Sequence, residues 1–188
     1  MQITTMPKGL EFKQTQYFDR DMKCEKILFL DIDGVLTNEY ESRMSGSHNC
    51  INESNLNNLL YILDNVPNLK IFLSSSWRYE RDLDQCNQLI KYYFGMYMLN
   101  LHGRTPVVIT PKVLNSEWQI QELANNNLVC SRGYEIKYVV DALRPKQYVI
   151  LDDWDNFLDE QRDFHVRTNS KTGLTFEDAE VVIHILNK

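Results

Sequence analysis

The segment ILFLDIDGVLT is apolar enough to be buried, yet it carries two aspartates close to one another. Residues 27–30 form an unbroken apolar run of the kind found in parallel sheets, whose strands are covered on both faces. Asp31 and Asp33 follow that run, and Gly34 comes directly after them. Because a buried carboxylate without a partner is costly, the pair implies that the fold provides partners for both acids.

Further apolar runs of strand length alternate with segments of helical spacing along the chain. Strands are expected at 69–74, near Met98–Leu101, at 147–153 and at 164–168. Helices are expected at 53–66, 79–94, 117–124, 133–143 and 177–186. This alternation predicts an α/β fold, a Rossmann-like three-layer sandwich in which helices cover both faces of a central parallel sheet.

Length and charge limit the class of protein. The 188 residues suffice for one domain with a real core, so we assign 24–188 to a single domain and 1–23 to an N-terminal extension. Within the extension, Phe12, Tyr17 and Phe18 either pack as a small flanking element or belong to a partly disordered arm. The formal net charge of −6 argues against a protein that coats nucleic acid, although it leaves room for a local basic groove.

The composition also bears on the compartment. No apolar run approaches the roughly 18 residues of a membrane span, and the N-terminus lacks the pattern of a secretory signal. We therefore expect a cytoplasmic protein without a membrane partner. The four cysteines are scattered without a CxxC pair, so neither a zinc site nor a disulfide framework is expected.

The polar residues at the strand ends suggest one site, because ligands of parallel α/β sheets bind at the carboxyl ends of the strands. Such ends carry Asp31, Asp33, the serines 74–76, Asp152 and Asp153. Several carboxylates cannot stay ionised side by side without a cation, and an all-oxygen set favours Mg²⁺. Magnesium in turn favours a phosphate substrate, with one aspartate as a nucleophile that forms an aspartyl-phosphate and a second that moves the proton.

The order of these features resembles the haloacid dehalogenase-like (HAD) phosphohydrolase superfamily. DIDGVLT is followed by a strand ending in serine, a basic residue that opens a helix, and a strand ending in DD, all within 27–156. A finer resemblance is to the branch found in multi-enzyme RNA-repair proteins. It rests on FLSSSWR (72–78), HGRTP (102–106), RGYEI (132–136), YVILDD (148–153) and VRTNSKTGLT (166–175).

The resemblance implies a role for each residue near the first two strands. Asp31 resembles the family nucleophile, and Asp33 resembles the acid/base, whose main-chain carbonyl also binds Mg²⁺. Gly34 permits the tight turn that follows and is placed with the substrate-binding residues. Ser75 resembles the hydroxyl that binds the transferring phosphoryl group, and Ser74 is the alternative, since a shift of one residue decides between them.

The resemblance also assigns the basic residue and the remaining acids. Arg132 matches the basic third motif, although the wider family usually has lysine there, and Lys137 is the alternative. A cation at this position would offset the charge of the aspartates and of the phosphoryl oxygens. Asp153 resembles the main metal ligand and Asp152 a second or water-mediated one. With the two acids of the first motif they form the predicted Mg²⁺ set.

Access to the site is expected to be open. The stretch 38–53 has room for a flap but not for a cap domain, and 95–131 allows at most a small lid. An open crevice admits a large substrate, such as a nucleic-acid end or a phosphoprotein. Trp77 is interpreted either as a platform for a base or as a core anchor. Arg78 either meets a substrate phosphate or braces the loop by pairing with a carboxylate. Arg81 and Arg104 are also expected at this opening, where Arg104, beside Thr105 and Pro106, either meets a phosphate or has a structural role.

The leading interpretation is a Mg²⁺-dependent phosphomonoesterase that acts on phosphorylated RNA or DNA ends, with a 3′-phosphate end favoured by the resemblance. The alternative keeps the chemistry but takes a nucleotide, a sugar phosphate or a phosphoprotein, which the acidic net charge favours. A signalling receiver is a remote alternative. In receivers the paired acids follow the first strand and the acceptor aspartate comes later, whereas here Asp-x-Asp comes first and the acid pair comes last. A non-catalytic phosphate-binding module is disfavoured by the intact Asp31 and Asp33.

Overall fold

In the computed structural model, the described residues are 11–12, 17–39, 51–94, 99–109 and 131–188. The segments considered for a flap and a lid lie largely outside these ranges, as does the helix expected at 117–124. The flap and the lid therefore stay predictions, and so does the division of the chain at residue 24.

The central sheet contains five strands: β2 (Lys26–Leu30), β3 (Lys70–Leu73), β4 (Gly103–Arg104), β6 (Gln147–Asp152) and β7 (His165–Arg167). Their spatial order is β4-β3-β2-β6-β7, and every neighbouring pair is parallel. A separate antiparallel pair consists of β1 (Glu11–Phe12) and β5 (Val108–Ile109). The strand that leads into the acid pair, β2, thus lies at the centre of the sheet.

The α-helices of the described ranges are α1 (Glu53–Asn65), α2 (Leu83–Phe94), α3 (Ser131–Leu143) and α4 (Phe176–Leu186). Two short 3₁₀ helices lie at Ser76–Arg78 and Asp159–Phe164. Side chains cap three of these α-helices: Asn52 accepts the main-chain N–H of Asn55 before α1, Asp82 accepts that of Gln85 before α2, and Thr175 and Asp178 form a capping box before α4. None of these described helices has the length and apolarity to cross a membrane.

Two apolar cores cover the sheet, because successive strand residues point to opposite faces. Leu28 and Leu30 belong to a core on the face covered by α1, α2 and α4. Ile27 and Phe29 belong to the core on the opposite face, to which α3 contributes Ile136. The predicted parallel α/β fold with helices on both faces is confirmed.

The described part of the N-terminal extension packs on the α3 face. Tyr17 and Phe18 are buried in that core, and the ring of Phe18 lies 5.6 Å from the ring of Phe72. For these two residues, packing as a flanking element is the correct alternative.

The strand expected near Met98–Leu101 was placed too early, since β4 begins two residues later. Leu99 and Leu101 are buried in the core on the α1 face, but the main-chain N–H of Leu101 donates to the side chain of Asn87 at 2.8 Å. The apolar character of this segment therefore reflects packing of a connecting loop and not strand pairing.

Candidate active site at the carboxyl edge of the sheet

Three polar residues form a row at the carboxyl ends of neighbouring strands. Leu30 is the last residue of β2 that pairs with β3 and β6, and the next positions across the three strands are Asp31, Ser74 and Asp152. Main-chain hydrogen bonds continue one step further: Asp31 N–H donates to the Leu151 carbonyl at 3.0 Å, and Ser74 N–H donates to the Leu30 carbonyl at 2.9 Å. The parallel ladder therefore fixes the relative positions of the three side chains.

The same row lies on the face of the sheet that α3 covers. Side chains alternate along a strand. The residues two positions before the row, Phe29, Phe72 and Ile150, all belong to the core on the α3 face. Arg132 lies in the first turn of α3 and reaches this row. The register and the helix start together bring a cation to the acids.

A cluster of three acids fits a divalent cation. Asp31, Asp152 and Asp153 each offer one carboxylate oxygen, and these oxygens lie within 4.8 Å of one another. Oxygen donors so arranged suit a hard cation such as Mg²⁺, whose charge would offset their repulsion. Asp33 contributes no carboxylate to the cluster. Its expected ligand atom is the main-chain carbonyl, and that role stays a prediction.

Gly34 leaves space for one of these ligands. Its φ of 75° lies in the left-handed region, and a Cβ here would come within 2.5 Å of the Asp153 carboxyl carbon. The Thr168 hydroxyl donates to the Gly34 carbonyl at 2.7 Å, which ties this turn to the end of β7. The predicted contact of Gly34 with substrate stays a prediction.

Arg132 provides the positive charge of the site. Its Nη1 lies 2.7 Å from Oδ2 of Asp152 and 3.2 Å from Oδ1 of Asp31. Burial opposes the charged form, but the two carboxylates outweigh it and raise the pKa of Arg132 above the ordinary arginine value. The alternative, Lys137, pairs instead with two acids outside the cluster. The structure thus places Arg132, and not Lys137, beside the acids.

At the end of β6, burial and nearby negative charge disfavour the ionised forms of Asp152 and Asp153. Burial, and then the charge of Asp31, raise the pKa of Asp152 to about 7 in spite of the opposing effect of Arg132. The same two causes raise the pKa of Asp153 above its ordinary value. A bound cation relieves repulsion of this kind, so the electrostatics of the cluster agree with its geometry.

Asp33 follows the acid row at the carboxyl edge of the sheet and is hydrogen-bonded to Trp77. The indole N–H of Trp77 donates to Oδ2 of Asp33 at 3.0 Å, while the ring packs against the core on the α1 face. The Asp33 side chain is exposed, but the surrounding protein excludes enough water to raise its pKa, and the charge of Asp31 acts in the same direction. An accessible carboxyl with a raised pKa suits proton transfer.

The two serines at the end of β3 are both buried but differ in their contacts. Ser75 Oγ accepts the main-chain N–H of Trp77 at 3.4 Å and caps the short helix that follows. Ser74 Oγ has no hydrogen-bond partner among the described residues, and it stands in the row beside Asp31. For the hydroxyl that binds the phosphoryl group, the geometry therefore favours Ser74, the alternative from the sequence, over Ser75.

Arg78 braces the loop from inside. It is 0% exposed, and its guanidinium donates to the carbonyls of Ser74 at 2.5 Å and Ser75 at 2.6 Å. It also donates to the Thr105 carbonyl at 3.2 Å and forms an ion pair with Glu135 of α3. A side chain so enclosed has no surface for a substrate, so the substrate-binding role predicted for Arg78 is corrected to bracing.

The other two arginines predicted near the opening differ in exposure. Arg104 is buried, with its guanidinium 4.9 Å from the centre of the Tyr17 ring. Arg81 is exposed and donates to the carbonyls of Trp77 at 2.9 Å and Tyr79 at 3.4 Å. Only Arg81 of this pair therefore presents its side chain to solvent.

One residue of the site was missed in the sequence. Trp154 directly follows the acid pair, is 66% exposed, and donates its main-chain N–H to Oδ1 of Asp152 at 3.0 Å. The available signal was a tryptophan next to two predicted metal ligands. Its exposure depends on how the loops after β6 and β7 separate, which no local pattern encodes.

A parallel sheet with acids in a row at its carboxyl edge, opposite an arginine from the next layer, is the arrangement of a HAD-like phosphohydrolase. A family model described as "HAD domain in Swiss Army Knife RNA repair proteins" matches residues 27–179, and the chain belongs to this family. The resemblance found in the sequence is thereby confirmed, and membership implies a hydrolase of the phosphohydrolase type. No curated protein and no solved structure matches the chain significantly.

Proposed function

We propose that this protein is a Mg²⁺-dependent phosphomonoesterase that acts through an aspartyl-phosphate at Asp31, with 3′-phosphate ends of polynucleotides as its substrates. The observation that carries the proposal is the cluster of Asp31, Asp152 and Asp153 with Arg132 against it. A nucleophile, a charge-compensating group and a metal-binding set occupy one edge of the sheet, as phosphoryl transfer requires.

The chain's own residues divide the chemistry between them. The carboxylates of Asp31, Asp152 and Asp153 and the carbonyl of Asp33 would hold Mg²⁺, which when bound offsets the charge of the carboxylates and of the phosphoryl oxygens. An Asp31 oxygen forms a bond to phosphorus as the bond from phosphorus to the ester oxygen breaks. Asp33 donates its proton to that leaving oxygen.

The second half of the reaction restores the enzyme. Asp33, now ionised, takes a proton from a water molecule, whose oxygen attacks phosphorus and displaces the Asp31 carboxylate. The products are inorganic phosphate and free Asp31. Arg132 stabilises the phosphoryl oxygens in both steps. Ser74 donates a hydrogen bond from its hydroxyl to one of these oxygens, because its buried Oγ lies beside Asp31 in the row at the strand ends.

The substrate class rests on the family. The matching family is that of HAD domains in RNA repair proteins, which supports a polynucleotide end. The net charge of −6 favours the alternative, a small phosphate ester such as a nucleotide or a sugar phosphate, because proteins that bind long nucleic acid are more often basic.

The test is phosphate release from a 3′-phosphorylated RNA oligonucleotide and from an aryl phosphate, with Mg²⁺ and with EDTA. We expect wild-type turnover that EDTA abolishes and that Asp31→Asn lowers by at least about a thousandfold. Asp64→Asn is the matched control, since Asp64 is an exposed acid near the end of α1.

The outcomes separate the parts of the proposal. Turnover of the aryl phosphate alone would reject the polynucleotide end and retain the phosphatase. Full activity in EDTA would reject the metal. Full activity of Asp31→Asn would reject the nucleophile, and no turnover of either ester would leave a phosphate-binding module.

A further inference from the structure

A cavity of about 480 Å³ lies next to the acid cluster, between the loop after β6 and the segment after β7. Asp153, the predicted main metal ligand, forms part of its wall, and so do Trp154, Asp155, Arg167 and Asn169. Pockets that hold small organic groups fall in the range of about 300–1,000 Å³, so this one has room for a substituent of the ester being cleaved. Asp153 therefore belongs both to the acid cluster and to the cavity wall.

Trp154 is an aromatic residue of the cavity wall. Its side chain is 66% exposed, although large aromatic side chains are usually mostly buried. Its main chain is anchored, because its N–H donates to Oδ1 of Asp152 at 3.0 Å. The indole is therefore accessible, and the main chain that carries it is bound to the acid cluster. An exposed ring on an anchored backbone is suited to stacking.

The charges around the cavity argue against a phosphate in it. Arg167 donates from Nε to the Asp153 carbonyl at 2.9 Å and from Nη1 to Oδ2 of Asp155 at 3.2 Å, so its charge is largely offset. The wall thus combines one compensated cation with the carboxylates of Asp153 and Asp155. A neutral planar group with hydrogen-bonding edges is compatible with such a wall, whereas a second anion is repelled.

We propose that this cavity holds the nucleobase of the nucleotide that carries the scissile phosphate, stacked on Trp154. The inference rests on the proposed function and gives its substrate a feature beyond the phosphate: a base attached close to it. The carboxylate of Asp155 accepts hydrogen bonds from the edge of the base, and the side-chain amide of Asn169 donates or accepts them. Trp77, whose indole N–H is bound to Asp33, is assigned to positioning the acid and not to stacking.

The test compares an ester that carries a base, adenosine 3′-monophosphate, with one that carries neither base nor ribose, glycerol 2-phosphate. Binding is measured by calorimetry with Mg²⁺ in the Asp31→Asn background, alone and combined with Trp154→Ala or Trp154→Phe. We expect Trp154→Ala to raise the Kd of the nucleotide about tenfold more than that of glycerol phosphate, because stacking of a base on an aromatic ring contributes at this level. Trp154→Phe, which keeps a ring, should recover most of the loss.

Tyr92→Ala is the matched control, since Tyr92 is an exposed aromatic of α2 and no part of the cavity wall. An equal rise of Kd for both esters in Trp154→Ala would overturn the proposal, because Trp154 would then act only through Asp152. No change for the nucleotide, or no recovery with Trp154→Phe, would overturn it as well.

The failure of the proposed function gives a different result. If the wild-type protein releases phosphate from neither the 3′-phosphorylated RNA nor the aryl phosphate, the phosphatase is rejected, while the ratio of the two dissociation constants still decides the base subsite. If a phosphoserine peptide binds as tightly as the nucleotide and is equally weakened by Trp154→Ala, the cavity accepts a peptide side chain and the nucleobase assignment is wrong.

Discussion

The two sides of the crevice are built in opposite ways. On one side, the β3 loop (residues 74–79) is braced from within by Arg78, which is 0% exposed and bound to main-chain carbonyls and to Glu135. On the other side, the β6–β7 loops (153–155 and 167–170) enclose a cavity of about 480 Å³. On the first side a buried side chain binds main-chain carbonyls, whereas the second side exposes Trp154 to solvent.

The two tryptophans of these loops make the difference concrete. Trp77 directs its indole N–H to Asp33 and packs on the core, whereas Trp154 is 66% exposed. We infer that the β3 loop fixes the groups that perform chemistry and that the β6–β7 loops receive the part of the substrate beyond the phosphate. Changes on the first side should therefore affect stability and turnover, and changes on the second should affect substrate affinity.

The largest expected effect concerns the brace. Arg78→Met should lower the free energy of unfolding by about 3–5 kcal/mol, because it removes the cation that pairs with the buried carboxylate of Glu135. Denaturant unfolding measures this. Arg81→Met is the control: Arg81 is exposed, and its loss should change the stability by about 0.5 kcal/mol or less. Equal effects of the two substitutions would contradict the brace.

The next effect concerns the cation of the site. Arg132→Met should lower kcat about 100- to 1,000-fold, the usual result of removing a group that stabilises charge in the transition state. Lys137→Met tests the alternative assignment and should leave most of the turnover, because Lys137 pairs with acids outside the cluster. A larger loss of kcat in the Lys137 variant would reverse the assignment.

The third effect concerns the hydrogen bond to Asp33. Trp77→Phe keeps an aromatic ring and removes the N–H, and we expect kcat to fall about tenfold, as for the loss of a hydrogen bond to a charged group. The loss should be greater for an alkyl phosphate than for an aryl phosphate, because a poor leaving group depends more on the proton from Asp33. Equal losses for the two esters would show that Trp77 supports the fold alone.

The smallest effect is a pH dependence on the β3 side. Burial lowers the pKa of His102, and its Nδ1 accepts the main-chain N–H of Ile71 at 3.2 Å, which requires the deprotonated nitrogen. As the pH falls below about 6.5, the unfolded chain binds a proton that the folded protein resists, so stability decreases. His102→Asn keeps an acceptor and should make the decrease shallower. A decrease should remain in this variant, because burial also lowers the pKa of His165.

Much of the fold was predictable because its signals are local. The apolar run before Asp31 and the run before Asp152 and Asp153 are strands, and the alternation of strands and helices fixed the parallel sheet. The capping box of Thr175 with Asp178 likewise marks the start of α4. The position of β4 was not predictable, since Gly103 has no strand signal of its own and buried leucines precede it.

The site was predictable as a set of residue types but not as contacts. The choice between Ser74 and Ser75 depends on the register of β3 with β2, which a single sequence leaves open by one residue. The choice between Arg132 and Lys137 depends on where α3 meets the row. For Arg78 the sequence leaves open whether it binds substrate or braces the loop, and the ion pair with Glu135 decides for bracing. Such distinctions arise from tertiary packing alone.

Transfer of the phosphoryl group from substrate to Asp31 can be measured directly. Excess wild-type protein is mixed with RNA that carries a radiolabelled 3′-phosphate, quenched with acid at times within the first turnover, and digested. We expect acid-stable, hydroxylamine-labile label on the peptide that contains Asp31, and none in Asp31→Asn. Phosphate release by the wild type with no label on that peptide at any time would contradict it, because water would then attack phosphorus directly.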